Sequence, residues 1–232
     1  MKALAIIPAR GGSKGVHRKN IRSLGGRPLI SHCVETALAC EKVDRVIVST
    51  EDAEIAGIAR EWGAEVPCLR PPEMAADDSR VVDSVLHSLE WTKREEGYVP
   101  DRVMLLQPTS PFVASSDVDS AVELSAADGI DGVVSVCEAD PPPFWMHKLD
   151  DDGTLVDFEH TVHESRRQDL RPVYGRNGAI FLTRTTWMIK HETFFHGKVL
   201  GYVMDQERSL DINTETDFVI GEAILSRQGT VS

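Results

Sequence analysis

Short apolar, β-branched runs alternate with longer amphipathic stretches along most of this chain, and that alternation leaves few folds open. The strand candidates are Ala3–Pro8, Arg45–Ser49, Ala64–Cys68, Val103–Gln107, Gly132–Val136, Ala179–Leu182 and Val199–Val203. Between them, Pro28–Cys40, Ala53–Trp62, Arg80–Glu96 and Ser116–Asp128 carry apolar residues at helical spacing. Strands alternating with helices predict βαβ units: a three-layer, Rossmann-like α/β fold whose mostly parallel sheet is covered on both faces. Ligands of such sheets sit beyond the carboxyl ends of the strands. Three polar segments follow predicted strand ends: residues 9–20, Thr50-Glu51-Asp52 and Pro108-Thr109-Ser110-Pro111.

The rhythm breaks between residues 138 and 175. Pro141-Pro142-Pro143 stops any regular element, and Trp145–Phe158 then alternates apolar and polar residues around Asp150-Asp151-Asp152-Gly153. That pattern predicts a hairpin with a solvated acidic turn. A hairpin has little to bury itself against alone, so it is expected to pack on a second subunit. The chain thus reads as one domain over residues 1–232, with 138–175 a dimerisation or lid extension of a homodimer. The basic tract Arg166-Arg167-Gln168 with Arg171 is placed to return positive charge to the site.

The first loop is the richest in chemistry. After Pro8 it holds Gly11, Gly12 and Gly15 among the cations Arg10, Lys14, Arg18 and Lys19. Glycines let backbone N–H groups approach an anion closely, and cations neutralise what the amides cannot. In a chain of formal net charge −12 such a concentration asks for a polyphosphate. The loop has neither the Walker A spacing nor G-x-G-x-x-G. A pI near 5.1 argues against non-specific binding to nucleic acid or anionic membranes. The first apolar run is too short for a signal peptide, and no window reaches transmembrane length. Cys33, Cys40, Cys68 and Cys137 show no metal spacing and read as reduced thiols of a cytoplasmic protein.

Near the end, Thr214 followed by Asp217 predicts a capped helix start. Asp211, between Leu210 and Ile212, reads as readily as a metal ligand as a structural carboxylate. Isolated carboxylates suit Mg²⁺, which shares its shell with water and substrate phosphates.

Ile7 to Asn20, I-P-A-R-G-G-S-K-G-V-H-R-K-N, resembles the signature loop of the acylneuraminate cytidylyltransferase family, the CMP-sialic acid synthetases. Val48-Ser49-Thr50-Glu51-Asp52, Leu69-Arg70-Pro71, Leu105–Pro111 (L-L-Q-P-T-S-P), Asn177-Gly178-Ala179-Ile180-Phe181 and Ser209-Leu210-Asp211-Ile212 resemble further segments of that family, in family order.

The resemblance implies transfer of CMP from CTP to an α-keto sugar acid, with Mg²⁺ and release of pyrophosphate. It implies that Ala9, Arg10, Gly11, Gly12, Ser13, Lys19, Asn20 and Arg70 bind the nucleotide, with Arg10, Lys14, Lys19 and Asp211 catalytic. Gln107, Arg167, Asn177, Phe181, Phe194 and Phe195 fall at acceptor positions, and Asp211 with Asn213 at the metal. By their own pattern Phe194 and Phe195 read equally as core. Two positions depart from the family: Asn213 stands for a second aspartate, and Phe181 for a tyrosine. Both fall on the acceptor and metal side. A small phosphonate acceptor such as phosphonoformate, or a nucleotide-sugar sensor without turnover, are the alternatives.

Overall fold

The computed structural model describes residues 1–13, 15–76, 78–158, 161–162 and 165–229. In chain order the elements are β1 (Ala3–Pro8), β2 (Ser23–Leu24), β3 (Arg27–Pro28), α1 (Leu29–Leu38), β4 (Arg45–Ser49), α2 (Ala53–Glu61), α3 (Val81–Glu96), β5 (Arg102–Leu106), α4 (Ser115–Ser125), β6 (Gly132–Glu138), β7 (His147–Leu149), β8 (Leu155–Asp157), β9 (Tyr174–Arg184), α5 (Thr185–His191), β10 (Val199–Val203) and α6 (Glu215–Gly229). Six of the strands form one sheet in the order β10-β6-β9-β5-β1-β4. All neighbours are parallel except β9, which runs antiparallel to both β5 and β6. Strands covered on both faces need no polar alternation. β1 and β5 accordingly read Ala-Leu-Ala-Ile-Ile and Arg-Val-Met-Leu-Leu and are buried throughout, apart from Pro8.

One core cluster joins the sheet to α1, α2 and α4 through Ile30, Val34, Ile55, Val118 and Val122. The opposite cluster joins it to α3 and α5 through Val85, Leu89 and Met188. A third, smaller cluster of Val16, Leu24, Leu29, Ile212 and Phe218 ties the first loop to α6. No helix among the described residues is long and apolar enough to cross a membrane.

Three sequence expectations need correction. Ala64–Cys68 is not a strand: it pairs with β4 only at Glu65, because Pro67 has no backbone donor to continue the ladder. The β2–β3 ribbon lies inside what reads as loop and helix start, turning at Gly25 and Gly26 with φ of +60° and +79°. β9 begins five residues before Ala179, and α5 follows it directly. Cys33 and Cys40 are buried as expected, whereas Cys68 and Cys137 are only partly so.

β7 and β8 pair antiparallel as a separate two-stranded ribbon across the Asp150–Gly153 turn. Its apolar side chains are exposed, Leu149 at 70% and Leu155 at 67%.

Candidate active site

The loops after β1, β4 and β5 all leave the carboxyl edge of the sheet. There a cleft of about 430 Å³ is lined by Arg10, Ser13 and Lys19 of the first loop and by Arg70, Gln107 and Asn213 among others. Residues from four separate stretches of the sequence therefore share one cavity.

The first loop is held in shape from outside the cleft. Ala9 is buried and extends the β1–β4 pairing through its N–H to the Ser49 carbonyl. The Asn20 amide donates to the Arg10 carbonyl across the loop at 2.9 Å. The Gly11 N–H donates to Glu51 Oε1 at 2.7 Å, so that amide is not offered to a ligand. A Cβ on Gly11 would sit 2.4 Å from Asp52 Oδ2, and one on Gly15 2.5 Å from the Asn213 carbonyl oxygen. Gly12 has open space around it and lies on the rim. Arg18, with φ of +52°, turns to Asp52, the residue whose carboxylate caps α2 through the N–H groups of Glu54 and Ile55. Of the loop cations, Arg10 and Lys19 line the cleft. Lys14 lies outside the described residues.

A return segment completes the site. After β10 the chain crosses back over the ends of four strands. Met204 N–H bonds the Val136 carbonyl of β6, Ser209 accepts from Asn177 of β9, Ile212 N–H bonds the Thr109 carbonyl after β5, and Asn213 meets Lys19 after β1. Arg208 fixes this segment to Asp117 of α4 at 2.5 Å. The carboxylate of Asp217 closes its far end, accepting from the N–H groups of Asn213 and Thr214 and from the Thr214 hydroxyl. That is the expected cap, with Asp in the role usual for Glu.

The amide of Asn213 can be oriented in only one way here. Lys19 Nζ is purely a donor and reaches Asn213 Oδ1 at 2.9 Å, and Asn213 Nδ2 therefore donates to Asp211 Oδ2 at 2.6 Å. Lys19 also donates to the Ile212 carbonyl at 2.8 Å. Burial lowers the Lys19 pKa and the nearby Arg10 lowers it further, while Asp211 and Asp217 act to raise it. Asp211 Oδ1 is buried and has no hydrogen-bond partner. An uncompensated buried carboxylate oxygen is costly and suits a cation. Among the described residues no cluster of three or more His, Cys, Asp or Glu side chains could hold a metal. A divalent ion at Asp211 must therefore complete its shell with water and phosphate oxygens, as Mg²⁺ does.

The residues implied for the acceptor are not gathered in the same way. Gln107 lines the cleft. Asn177 is buried, and its amide brackets the β9 bulge: Oδ1 accepts from Ser135 at 2.6 Å, and Nδ2 donates to Ser209 at 2.8 Å. Its polar atoms are engaged within the protein, which makes it a brace of the return segment. Phe181 and Phe194 pack in the α3–α5 core with rings tilted at 49° and centroids 5.8 Å apart. Phe195 is half exposed, edge-on to Phe181, with the Arg176 guanidinium 4.9 Å from its ring centroid. Arg167 is exposed and pairs with Asp140 at 3.2 Å, in a separate concavity with Glu138 and Leu170.

Sequence reasoning did not single out Glu51, Ser84 or Arg80. Glu51 Oε2 accepts from Arg70 Nε and Nη2 at 3.1 and 2.9 Å, and Arg70 Nη1 donates to Ser84 at 2.6 Å. Arg80 lines the same end of the cleft and is paired with Asp83 and Glu192. The available signals were that Glu51 follows a strand end and lies in Val48–Asp52, one of the segments that resemble the family.

A mostly parallel sheet with a glycine-bearing cationic loop at its carboxyl edge defines a phosphate-binding α/β protein. The profile of a family described as cytidylyltransferase matches residues 4–193. CMP-N,N'-diacetyllegionaminic acid synthase of Legionella pneumophila is 34% identical over 97% of both chains. The N-acylneuraminate cytidylyltransferase of Escherichia coli O18:K1:H7 is 36% identical over 98% of this chain, which spans 53% of that protein. A CMP:2-keto-3-deoxy-manno-octonic acid synthetase solved with CTP superposes with a TM-score of 0.73 at 15% identity, covering 98% of this chain and all of that one. The chain belongs to the cytidylyltransferase family and is a CTP-dependent nucleotidyltransferase.

Proposed function

We propose that this protein transfers CMP from CTP to a nonulosonic acid, an α-keto sugar acid of the sialic, legionaminic or pseudaminic type, and releases pyrophosphate. The observation that carries the reading is that Arg10, Ser13, Lys19 and Asn213 line one cleft, and that Asn213 links Lys19 to Asp211, which keeps a buried, unpartnered oxygen. Two relatives that match nearly end to end bear names of nonulosonate chemistry: the legionaminic acid synthase, and pseudaminic acid cytidylyltransferase of Campylobacter jejuni at 28% identity over 94% of this chain and 93% of that protein.

The acceptor hydroxyl oxygen bonds to the α-phosphorus with loss of its proton, and the bond from that phosphorus to the β-phosphate oxygen breaks. Such a displacement is governed by positioning and charge stabilisation. Arg10 and Lys19, with Lys14 of the same loop, bind the β- and γ-phosphates and hold the charge that grows on pyrophosphate. Lys19 is fixed for this by two neutral oxygens. Asp211 is the residue that would hold Mg²⁺, which when bound supplies charge neutralisation to the phosphates. The α-keto acid carboxylate needs a cation outside the triphosphate end. Arg167 fits if it is delivered across a homodimer by the β7–β8 extension, whose exposed apolar residues a partner copy would cover.

Pyrophosphate release from CTP, measured with N-acetylneuraminate, legionaminate, pseudaminate and phosphonoformate, tests the reading. Release with a nonulosonic acid is expected. Release with phosphonoformate alone replaces the acceptor class, and tight CTP binding without release from any acceptor marks a sensor.

A further inference from the structure

The two ends of the cleft treat their cations differently. At one end Lys19 is bonded to the carbonyl of Ile212 and the amide oxygen of Asn213, neither of which bears charge. At the other, Arg70 is 5% exposed; its Nε and Nη2 both donate to Glu51 Oε2 and its Nη1 to the Ser84 hydroxyl. Glu51 is itself largely buried, and its second oxygen accepts the Gly11 N–H. A carboxylate so placed cancels the charge of the wall it stands behind and uses up an amide that an anion would otherwise find.

We propose that Glu51 sets the polarity of the cleft. By neutralising Arg70 it reserves that end for an uncharged nucleoside and confines phosphate to the Arg10 and Lys19 end. Glu51 is thus a positioning residue, acting on the nucleotide through Arg70 and Gly11. The proposal rests on the cleft being the nucleotide site. Its physical basis is that a buried guanidinium without its carboxylate is an uncompensated charge, and a multivalent anion is the ligand that compensates it.

The experiment reads cytidine binding by ligand-observed NMR with sulfate as the anionic probe, beside KM for CTP. In the wild type, sulfate and cytidine occupy opposite ends and sulfate leaves the cytidine signal unchanged. In Glu51→Gln, sulfate displaces cytidine and KM for CTP rises roughly tenfold, the scale of a hydrogen bond to a charged group. In the Glu51→Gln/Arg70→Gln double variant, the displacement disappears, a reversal that a purely structural brace would not produce. If Glu51→Gln does not fold, the charge is read from the other side: Arg70→Gln raises KM for CTP, and the double variant recovers part of that loss. Equal sulfate sensitivity of wild type and Glu51→Gln, or no recovery in the double variant, overturns the role of Glu51. Failure of the wild type to bind either CTP or cytidine overturns the site instead.

Discussion

The two sides of the cleft are assembled by different means. On the nucleotide side, Arg10, Ser13, Lys19 and Asn20 come from the one loop after β1 and Arg70 from the segment after α2 that bonds the Thr50 carbonyl. Ala9, Gly11 and Gly12 shape that loop without lining the cavity, and the other five line it. On the acceptor side only Gln107 does so. Asn177 is spent on bracing a bulge, Phe181 and Phe194 are core, and Arg167 points into a different concavity. A contiguous loop on a rigid sheet edge carries its geometry with it, whereas recognition spread over residues 107–195 needs the return segment and the β7–β8 extension to be in place. The proposed nucleotide half is built into one chain; the proposed acceptor half draws on a second copy.

That contrast can be broken by substitution. The largest effect is expected from Arg10→Ala or Lys19→Ala. Each removes a cleft-lining cation proposed to hold the leaving pyrophosphate, and turnover should fall roughly a thousandfold, about 4 kcal/mol of transition-state stabilisation, with an unchanged melting profile. Full activity in both would detach the first loop from the reaction. Next comes the pair Phe194→Ala and Phe195→Ala. Phe194 is 3% exposed and its truncation should cost about 3 kcal/mol in denaturant unfolding. Phe195 is 50% exposed, and its loss should leave stability nearly intact while raising KM for the acceptor. The reverse pattern would exchange their roles.

The smallest effect sharpens the nucleotide side. Burial pushes the Asp52 carboxyl up. The N–H groups of Ile55 and Glu54 and the Arg18 guanidinium more than offset this and hold it below the usual 3.8. A folded-state pKa lower than the unfolded one stabilises the fold above about 3.8 and is lost as pH falls through the lower value. Asp52→Asn keeps a capping oxygen but loses the charge that meets Arg18. It should cost about 1 kcal/mol at neutral pH, with the difference shrinking below pH 3.8 in thermal melts. A difference that persists in acid would mean that the carboxylate charge contributes nothing.

Much of the nucleotide side was legible because residues 7–20 specify it locally, and the Thr214–Asp217 cap was legible for the same reason. Other features depend on information a linear pattern does not hold. The direction of a buried strand leaves no trace in its hydrophobicity, so the reversal of β9 could not be read from Ala179–Leu182. Pro67 undid an expected strand that composition alone supports. Glu51 was visible as a polar residue after a strand, but its role depends on Gly11, 40 residues before it, and Arg70, 19 residues after. Asn177 carried a motif and proved to be a brace, since Ser135 and Ser209 reach it only in the folded sheet.

The reversal of β9 has a consequence for how such proteins diversify. Because β9 enters the middle of the sheet from the carboxyl edge, the chain joining β6 to β9 starts and finishes at that edge, its two ends held together by pairs such as Val136 with Arg176 and Glu138 with Tyr174. Whatever sequence is spliced between those points projects from the carboxyl edge, and residues 139–173 contribute nothing to the core clusters among the described residues. Lengthening, shortening or recharging that single connection is therefore a route by which a lineage can exchange one acceptor for another while inheriting its nucleotide chemistry unchanged.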